Sequence, residues 1–288
     1  MICRGSFLLS ALLLCCGGDA QECTCRKGWS KYGSHCFYIV QAERSWAEAE
    51  SNCMKLGGHL ASVHSQYESS FIENLINKNI FKPWDTWIGG TDAPKEGVWF
   101  WSDGTKFDFS HWYAGEPNNL GGQHCLHMHK GKWDDYGCQH SHPSVCSSVC
   151  STKVSFPQCM RTCPVGWSEF GSRCFQFVYT GRAWDESERN CMAMGGHLAS
   201  VHSRDELLFI KNLIQRVSSN VQRTWIGGTD AAQEGVWFWS DGSRFDYTHW
   251  KTGEPNNRGG AENCIHLNGE YWNDISCEYS YSSVCSMG

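Results

Sequence analysis

Two segments in the first third of the chain carry the hydrophobic period of amphipathic helices. One helix is predicted to begin after Ser45, where Glu48 stands at the spacing of a capping box. Its apolar face consists of Trp46, Ala49, Cys53 and Leu56. The other is predicted to begin after Ser65, with Glu68 as its box partner. Its apolar face consists of Phe71, Ile72, Leu75 and Ile76.

The helical period is absent after Trp87. Short segments rich in Trp, Phe and Val alternate there with Gly, Asp-Gly and Asn-Asn, which is typical of strands joined by turns and long loops. Two helices followed by strands predict an α+β fold.

The whole pattern occurs twice. The sequence EGVWFWSDG at 96–104 recurs unchanged at 234–242, and GEPNN at 115–119 recurs at 253–257, in both cases 138 residues later. The offset becomes 139 after Gly122 and Gly260, because the second copy carries one extra residue. A repeat of this length is domain-sized, so the chain is predicted to be a tandem duplication. The predicted domains are 23–147 and 163–286, joined by a linker at 148–162 that is rich in Ser, Thr and Cys.

Residues 1–20 have the pattern of a signal peptide. Arg4 precedes an apolar run at 7–16, and a small-x-small sequence ends at Ala20. The run is shorter than the ~20 apolar residues that span a bilayer. We therefore expect a secreted, extracellular protein with no segment inserted in a membrane.

Composition supports this compartment and excludes one class of partner. The chain has 18 cysteines, which is typical of a disulfide-linked protein in an oxidising compartment. Its net charge of −6 argues against a protein that coats nucleic acid or anionic membranes. Residues 1–20 contain three cysteines, so fifteen remain after cleavage (18 − 3), and one of them lacks an obvious partner.

The second copy contains a set of oxygen-bearing side chains suited to Ca²⁺. Three carboxylates and two amides can converge there from a glycine-rich loop and a predicted strand: Glu254, Asn256, Glu262, Asn273 and Asp274. Ca²⁺ takes 6–8 oxygen ligands, whereas zinc and copper prefer nitrogen and sulfur. A cis bond before Pro255 would turn both flanking side chains to one side. A lone Glu-Pro-Asn sequence would favour a solvated acidic loop, but the complete set favours a metal site.

With the Trp-Ile-Gly-Gly segments and the cysteines, these residues make both copies resemble C-type lectin domains, the calcium-dependent sugar-binding fold. The resemblance implies two helices, small antiparallel sheets and a long calcium-binding loop in each domain. It also implies that Glu254 with Asn256, and Glu262 with Asn273, form acceptor–donor pairs for two vicinal sugar hydroxyls. By the family pattern, Glu-Pro-Asn with Trp-Asn-Asp is the mannose-type arrangement.

The first copy departs from this pattern in one pair. Gln123 stands where Glu262 aligns, and Asp134 stands where Asn273 aligns, so donor and acceptor have exchanged places. Three negative charges remain in each copy. The expected calcium ligands of copy one are Glu116, Asn118, Asp134 and Asp135, and Gln123 is an expected sugar contact. We expect calcium binding with an altered sugar preference, toward galactose-like geometry; loss of sugar binding is the alternative, because the loop is one residue shorter.

Two weaker features accompany these sites. Positions of an auxiliary calcium ion are implied in each copy, with an unoccupied surface turn as the alternative: Asp92, Glu96, Asn119 and His124, then Asp230, Glu234, Asn257 and Asn263. Histidines cluster in copy one, where an exposed polar strand and loop are expected and adventitious zinc binding is the alternative: His124, His127, His129, His140 and His142.

The resemblance also assigns twelve cysteines to six disulfides. The implied pairs are Cys25–Cys36, Cys53–Cys146, Cys125–Cys138, Cys163–Cys174, Cys191–Cys285 and Cys264–Cys277. Of the three that remain, we expect Cys150 to pair with Cys159 and Cys23 to link a second chain, giving a disulfide-linked homodimer.

No nucleophile, phosphate-loop or zinc-protease motif occurs, so an enzyme is not expected. The hypothesis is a secreted, calcium-dependent lectin that binds mannose-type glycans on microbial or host surfaces, with a role in innate immunity. The alternative is the same scaffold used for protein interaction or ice binding without sugar.

Overall fold

Each copy of the repeat folds around one mixed β-sheet with two helices. The computed structural model describes residues 23–80, 85–151, 163–218 and 223–288. The predicted signal peptide, most of the predicted linker and Cys159 lie outside these ranges. No helix in the described ranges is long and apolar enough to cross a membrane.

The first domain contains eight strands and two helices in the order β1–β2–α1–β3–α2–β4 to β8. Their bounds are β1 Ser30–Tyr32, β2 His35–Arg44, α1 Trp46–Lys55, β3 His59–Leu60, α2 Gln66–Asn79, β4 Asp85–Thr91, β5 Phe100–Trp101, β6 Cys125–His129, β7 Lys132–Tyr136 and β8 His142–Val149.

The second domain repeats this order. Its elements are β9 Ser168–Phe170, β10 Arg173–Arg182, α3 Trp184–Ala193, β11 His197–Leu198, α4 Arg204–Gln215, β12 Thr224–Thr229, β13 Phe238–Trp239, β14 Cys264–Asn268, β15 Tyr271–Ile275 and β16 Tyr281–Met287. The predicted α+β layout is confirmed in both domains.

The sheets run β1-β2-β8-β4-β6-β7 in domain 1 and β15-β14-β12-β16-β10-β9 in domain 2. All neighbouring strands are antiparallel except β4 with β8 and β12 with β16, so each sheet is mixed where small antiparallel sheets were expected. β2 and β8 pair from His35↔Val149 to Arg44↔His142, which places the two ends of the domain side by side.

The predicted cap of α1 is confirmed. Ser45 Oγ accepts from the Glu48 amide, and the Glu48 carboxylate accepts from the Ser45 amide at 3.2 Å. Ser65 caps α2 in the same way, but the Glu68 carboxylate accepts from the amide of His64 instead, at 2.8 Å. Local capping thus starts both helices where the sequence indicates.

Buried tryptophans support the long loop that precedes β6. Trp133 on β7 is fully buried and meets the ring of Trp101 edge-on at 5.5 Å. Phe107 in the loop stacks on Trp101 at 4.9 Å. The strand period of two then places Asp134 on the opposite face of β7 from Trp133.

All six implied disulfides are present in the structure. The prediction for the remaining cysteines is wrong, because Cys23 pairs with Cys150 within the chain. Thr24 forms a bridge with Ser151 just past β8, and this pairing brings the two cysteine Cα atoms to 5.5 Å. Cys150 therefore cannot pair with Cys159, and Cys23 is not available for the predicted link to a second chain.

Candidate functional site

Asp274 holds together the two segments that line a polar cleft in domain 2. It lies on β15 after the buried Trp272 and the partly exposed Asn273, and has no solvent exposure. Its carboxylate accepts hydrogen bonds from the backbone amides of Asn256 at 3.1 Å and Asn257 at 2.7 Å. These bonds tie the glycine-rich loop to the strand, so the two sequence segments that carry the predicted ligands meet at this carboxylate.

The other four predicted residues line the same cleft: Glu254, Asn256, Glu262 and Asn273. The Asn256 amide donates to the Glu254 carboxylate. The Glu262 carboxylate accepts from the Arg258 amide at 2.8 Å, which holds it toward the cleft. The peptide bond before Pro255 is cis, as predicted, and so is the bond before Pro117.

Domain 1 gathers its three carboxylates more tightly. One oxygen from each of Glu116, Asp134 and Asp135 lies within 4.8 Å of the others. Asp135 is buried and accepts from the amides of Asn118 at 2.9 Å and Asn119 at 2.7 Å, as Asp274 does in domain 2.

The exchanged residue of domain 1, Gln123, is bound within its own loop. Its side-chain oxygen accepts from the Leu120 amide at 3.0 Å. Glu262 makes the equivalent loop contact in domain 2 with a carboxylate oxygen. Both residues therefore occupy corresponding places, but Gln123 presents an NH₂ donor where Glu262 presents an acceptor.

The charges of these residues fit a bound cation. One Glu116 carboxylate oxygen is buried without a hydrogen-bond partner. Burial and the nearby Asp135 and Asp134 raise the pKa of Glu116 to about 7. Burial and Asp274 also raise the pKa of Glu254. Carboxylates held this close repel one another, and a hard divalent ion with oxygen ligands relieves that repulsion. The residues present therefore fit Ca²⁺.

The auxiliary positions differ between the domains. In domain 1, His124 Nδ1 lies 3.1 Å from the buried Asp92 carboxylate and 3.3 Å from Glu96. In domain 2 an asparagine replaces the histidine, and one oxygen of the buried Asp230 has no partner. Burial raises the pKa of Asp230 to about 7. A histidine thus supplies the partner in domain 1 that is missing in domain 2.

The expected exposed polar strand and loop hold for His140, whereas His124, His129 and His142 are partly buried. His127 departs from the expectation. His127 is buried, stacks on Tyr136 at 5.1 Å and lies 3.2 Å from Asp134. Burial lowers the pKa of His142 to about 4. His127 and His129 do share one face, since both approach Asp85, at 3.6 Å and 2.7 Å. His127 is buried because the rings of Trp87 on β4 and Tyr136 on β7 lie 5.9 Å and 5.1 Å from its own ring.

Two residues near the sites were missed from the sequence. Arg223 lines the cleft of domain 2. The position 138 residues earlier is Asp85, so the two domains carry opposite charges beside their candidate sites. The repeat alignment contained this difference, but only the fold shows that the start of β4 lies one strand away from the ligand strand β7, across β6.

A sequence profile described as the Lectin C-type domain matches residues 42–148 and 180–287. The chain belongs to the C-type lectin family. Both domains are therefore C-type lectin domains, a carbohydrate-recognition fold that is not enzymatic. Domains of this family typically bind Ca²⁺.

Three relatives illustrate the range of this family. The chain is 53% identical to ladderlectin of Oncorhynchus mykiss over 124 residues, which cover 42% of the chain and 65% of ladderlectin. It is 30% identical to C-type mannose receptor 2 of Homo sapiens over 242 residues, which cover 82% of the chain and 16% of the receptor. It is 44% identical to the type-2 ice-structuring protein of Hemitripterus americanus over 126 residues, which cover 43% of the chain and 74% of that protein.

The raised carboxyl pKa values predict that stabilisation by calcium depends on pH. Glu116 and Asp230 titrate at about 7 in the metal-free fold, against ordinary values of 4.5 and 3.8. The metal-free fold binds more protons than the unfolded chain between these limits, so its stability falls as pH rises through this window. Ca²⁺ binds the ionised form. The increase in Tm on saturation with Ca²⁺ should therefore be larger at pH 8 than at pH 5 in thermal unfolding. Equal increases at both pH values would contradict this assignment.

Proposed function

We propose that this protein is a secreted, calcium-dependent lectin that binds mannose-type glycans through domain 2. The observation that carries the proposal is the cleft lined by Glu254, Asn256, Glu262 and Asn273, next to which the buried Asp274 ties the loop to the strand. Three neighbouring carboxylates repel one another, which destabilises the fold. A surface used only for protein contact would not require such an arrangement.

The side chains around the cleft explain how a sugar would be selected. Calcium, when bound, supplies coordination positions for two vicinal hydroxyls. Each hydroxyl can donate to a carboxylate and accept from an amide NH₂. Glu254 with Asn256 forms one such pair, and Glu262 with Asn273 forms the other. The Asn256 amide donates to the Glu254 carboxylate, so sugar binding would redirect a bond that already joins this pair.

Domain 1 is proposed to bind Ca²⁺ with an altered sugar preference. Its carboxylates Glu116, Asp134 and Asp135 lie together, and Asn118 follows the same cis-proline turn. Gln123 and Asp134 present donor and acceptor in the reverse order to Glu262 and Asn273. A hydroxyl pair of the opposite orientation, as in galactose-like sugars, would suit this order.

A single open and polar site binds weakly, so the two domains would gain strength by binding one surface together. Avidity between linked sites can add ~10²–10⁴-fold when their spacing matches the ligand. Dense glycans on microbial surfaces present such repeated ligands. Innate recognition of microbes is proposed on this ground and on similarity to ladderlectin and to C-type mannose receptor 2.

Elution from immobilised mannose tests the proposal. The protein should be retained in millimolar Ca²⁺ and released by EDTA. Removal of the cation leaves the carboxylates to repel one another and removes the coordination positions for the sugar hydroxyls. Asp135→Asn should leave retention intact, since it alters only domain 1. Absence of retention in Ca²⁺, or retention that EDTA does not affect, would overturn the assignment. Thermal hysteresis of ice growth without mannose retention would instead support the ice-binding alternative suggested by similarity to the ice-structuring protein.

A further inference from the structure

One of the two nine-residue segments that the copies share unchanged, at 96–104 and 234–242, lies where the two domains meet. The ring of Phe100 on β5 meets Trp184 at the start of α3, with centroids 6.2 Å apart and planes at 76°. The ring of Phe238 on β13 meets Trp46 at the start of α1, at 6.1 Å and 78°. The two contacts are equivalent under the 138-residue repeat, so the domains are related here by a local two-fold axis.

The Asp-Gly turns after β5 and β13 contact each other on this axis. A Cβ atom on Gly104 would lie 2.8 Å from the carbonyl carbon of Asp241, and one on Gly242 would lie 2.8 Å from that of Asp103. Both glycines also have positive φ, 76° and 74°. Glycine is therefore required at each position for the turn and for close approach of the other domain.

An apolar cavity on the axis shows the same symmetry. Six residues of domain 1 line it, and each counterpart 138 residues later lines it from domain 2. The residues of domain 1 are Trp46, Thr91, Pro94, Phe100, Trp101 and Ser102. Since each domain supplies the same surface, the face is self-complementary.

The polar rim breaks this symmetry. Lys95 of domain 1 pairs with Glu278 of domain 2 at 2.9 Å, and Ser45 of domain 1 donates to Gln233 of domain 2 at 2.8 Å. The equivalents of Lys95, Glu278 and Ser45 in the other copy are Gln233, Gln139 and Ala183. Two copies of domain 1 would place Gln139 opposite Lys95 and Lys95 opposite Ser45. Two copies of domain 2 would place Gln233 opposite Glu278 and Ala183 opposite Gln233. The ion pair and the Ser45–Gln233 bond therefore form only between unlike domains.

We propose that this face holds the two domains together as a fixed pair that assembles without the linker, and that its rim selects domain 1 with domain 2 over two copies of either. The unchanged EGVWFWSDG segment then has a physical reason. Phe100, Phe238 and the two Asp-Gly turns of this segment each contact the other domain, so a substitution at these positions in either copy would alter the shared face. The two candidate sugar sites are consequently held in one mutual orientation, and this inference does not depend on which sugar they bind.

Cleavage of the folded full chain tests the pairing. A protease site is placed within 152–162, with Cys159→Ser so that the linker offers no thiol. The halves are then examined by sedimentation velocity at about 0.1 mM, a tenth of the ~1 mM effective concentration that a short linker supplies. The wild-type halves should sediment together at the mass of the intact chain. Sedimentation as two species of half that mass would overturn the proposal.

Charge variants test the rim in the same cleaved protein. Lys95→Glu should weaken association several-fold, because it places two acidic groups together, and the double variant Lys95→Glu/Glu278→Lys should restore it. Lys211→Glu is the matched control, since Lys211 pairs with Glu270 within domain 2 at 3.0 Å. Failure of the double variant to restore association, or equal weakening by the control, would overturn the role of the rim.

Phe100→Ala and Phe238→Ala test the centre of the face. Each should weaken association of the cleaved halves at least about 10-fold, because aromatic anchors at the centre of an interface carry most of its binding energy. Retention of the Ca²⁺-dependent increase in Tm would show that both domains remain folded. Unchanged association in both variants would overturn the proposed contact.

Discussion

Asp274→Asn should reduce Ca²⁺ affinity of domain 2 at least about 100-fold and abolish its retention on mannose. The substitution removes one of three negative charges from the cage, and the new NH₂ group would face the amides of Asn256 and Asn257 that now donate to the carboxylate. Changes to groups that only orient metal ligands cost 10–100-fold in affinity, and Asp274 both orients the loop and bears charge. Isothermal titration with Ca²⁺ and mannose chromatography measure the two effects.

Asp135→Asn provides the matched control for this prediction. Asp135 has the same burial and the same pair of backbone donors in domain 1. It should weaken calcium binding in domain 1 by a similar factor and leave mannose retention unchanged. An Asp274→Asn protein that unfolds at the wild-type temperature but still binds mannose would contradict the assignment of Asp274 to the site.

The double variant Glu262→Gln/Asn273→Asp should change the sugar that domain 2 accepts without removing calcium. It gives domain 2 the donor and acceptor order of Gln123 and Asp134, and the cage keeps three negative charges. A pair of sugar hydroxyls that fits the donor and acceptor order of wild-type domain 2 would place a donor against a donor in the variant. A buried polar group left without a hydrogen-bond partner costs about 1–3 kcal/mol. Retention on mannose should therefore fall roughly 10-fold or more, with Ca²⁺ affinity within a few-fold of wild type.

The reciprocal variant Gln123→Glu/Asp134→Asn tests the same rule in domain 1. Assayed with Asp274→Asn present, so that domain 2 does not contribute, it should gain retention on mannose. The single variants are informative controls, because each changes the charge of its cage. If the two double variants leave the glycan profiles of both domains unchanged, then the order of donor and acceptor does not select the sugar.

The sequence predicted the helix starts and the ligand types because both depend on local spacing. It also predicted the duplication, because the two copies align directly. A capping box needs residues three apart, and the set from Glu254 to Asp274 lies within a short stretch of chain. Six disulfides were implied by resemblance to the family, since the spacing of cysteines leaves many pairings open. Sequence spacing could not show which side chains would be buried by distant parts of the chain.

The tertiary structure alone decided the features that depend on distant contacts. Cys23 meets Cys150 because the ends of domain 1 pair across 127 residues. His127 is buried because the rings of Trp87 on β4 and Tyr136 on β7 pack against it. Arg223 enters the cleft because it precedes β12, which pairs with β14 beside the ligand strand β15. The sequence shows that the segment EGVWFWSDG is identical in both copies, but only the fold places the two copies against each other. The chemistry of each site was therefore local information, whereas burial, pairing and the contact between domains were set by packing.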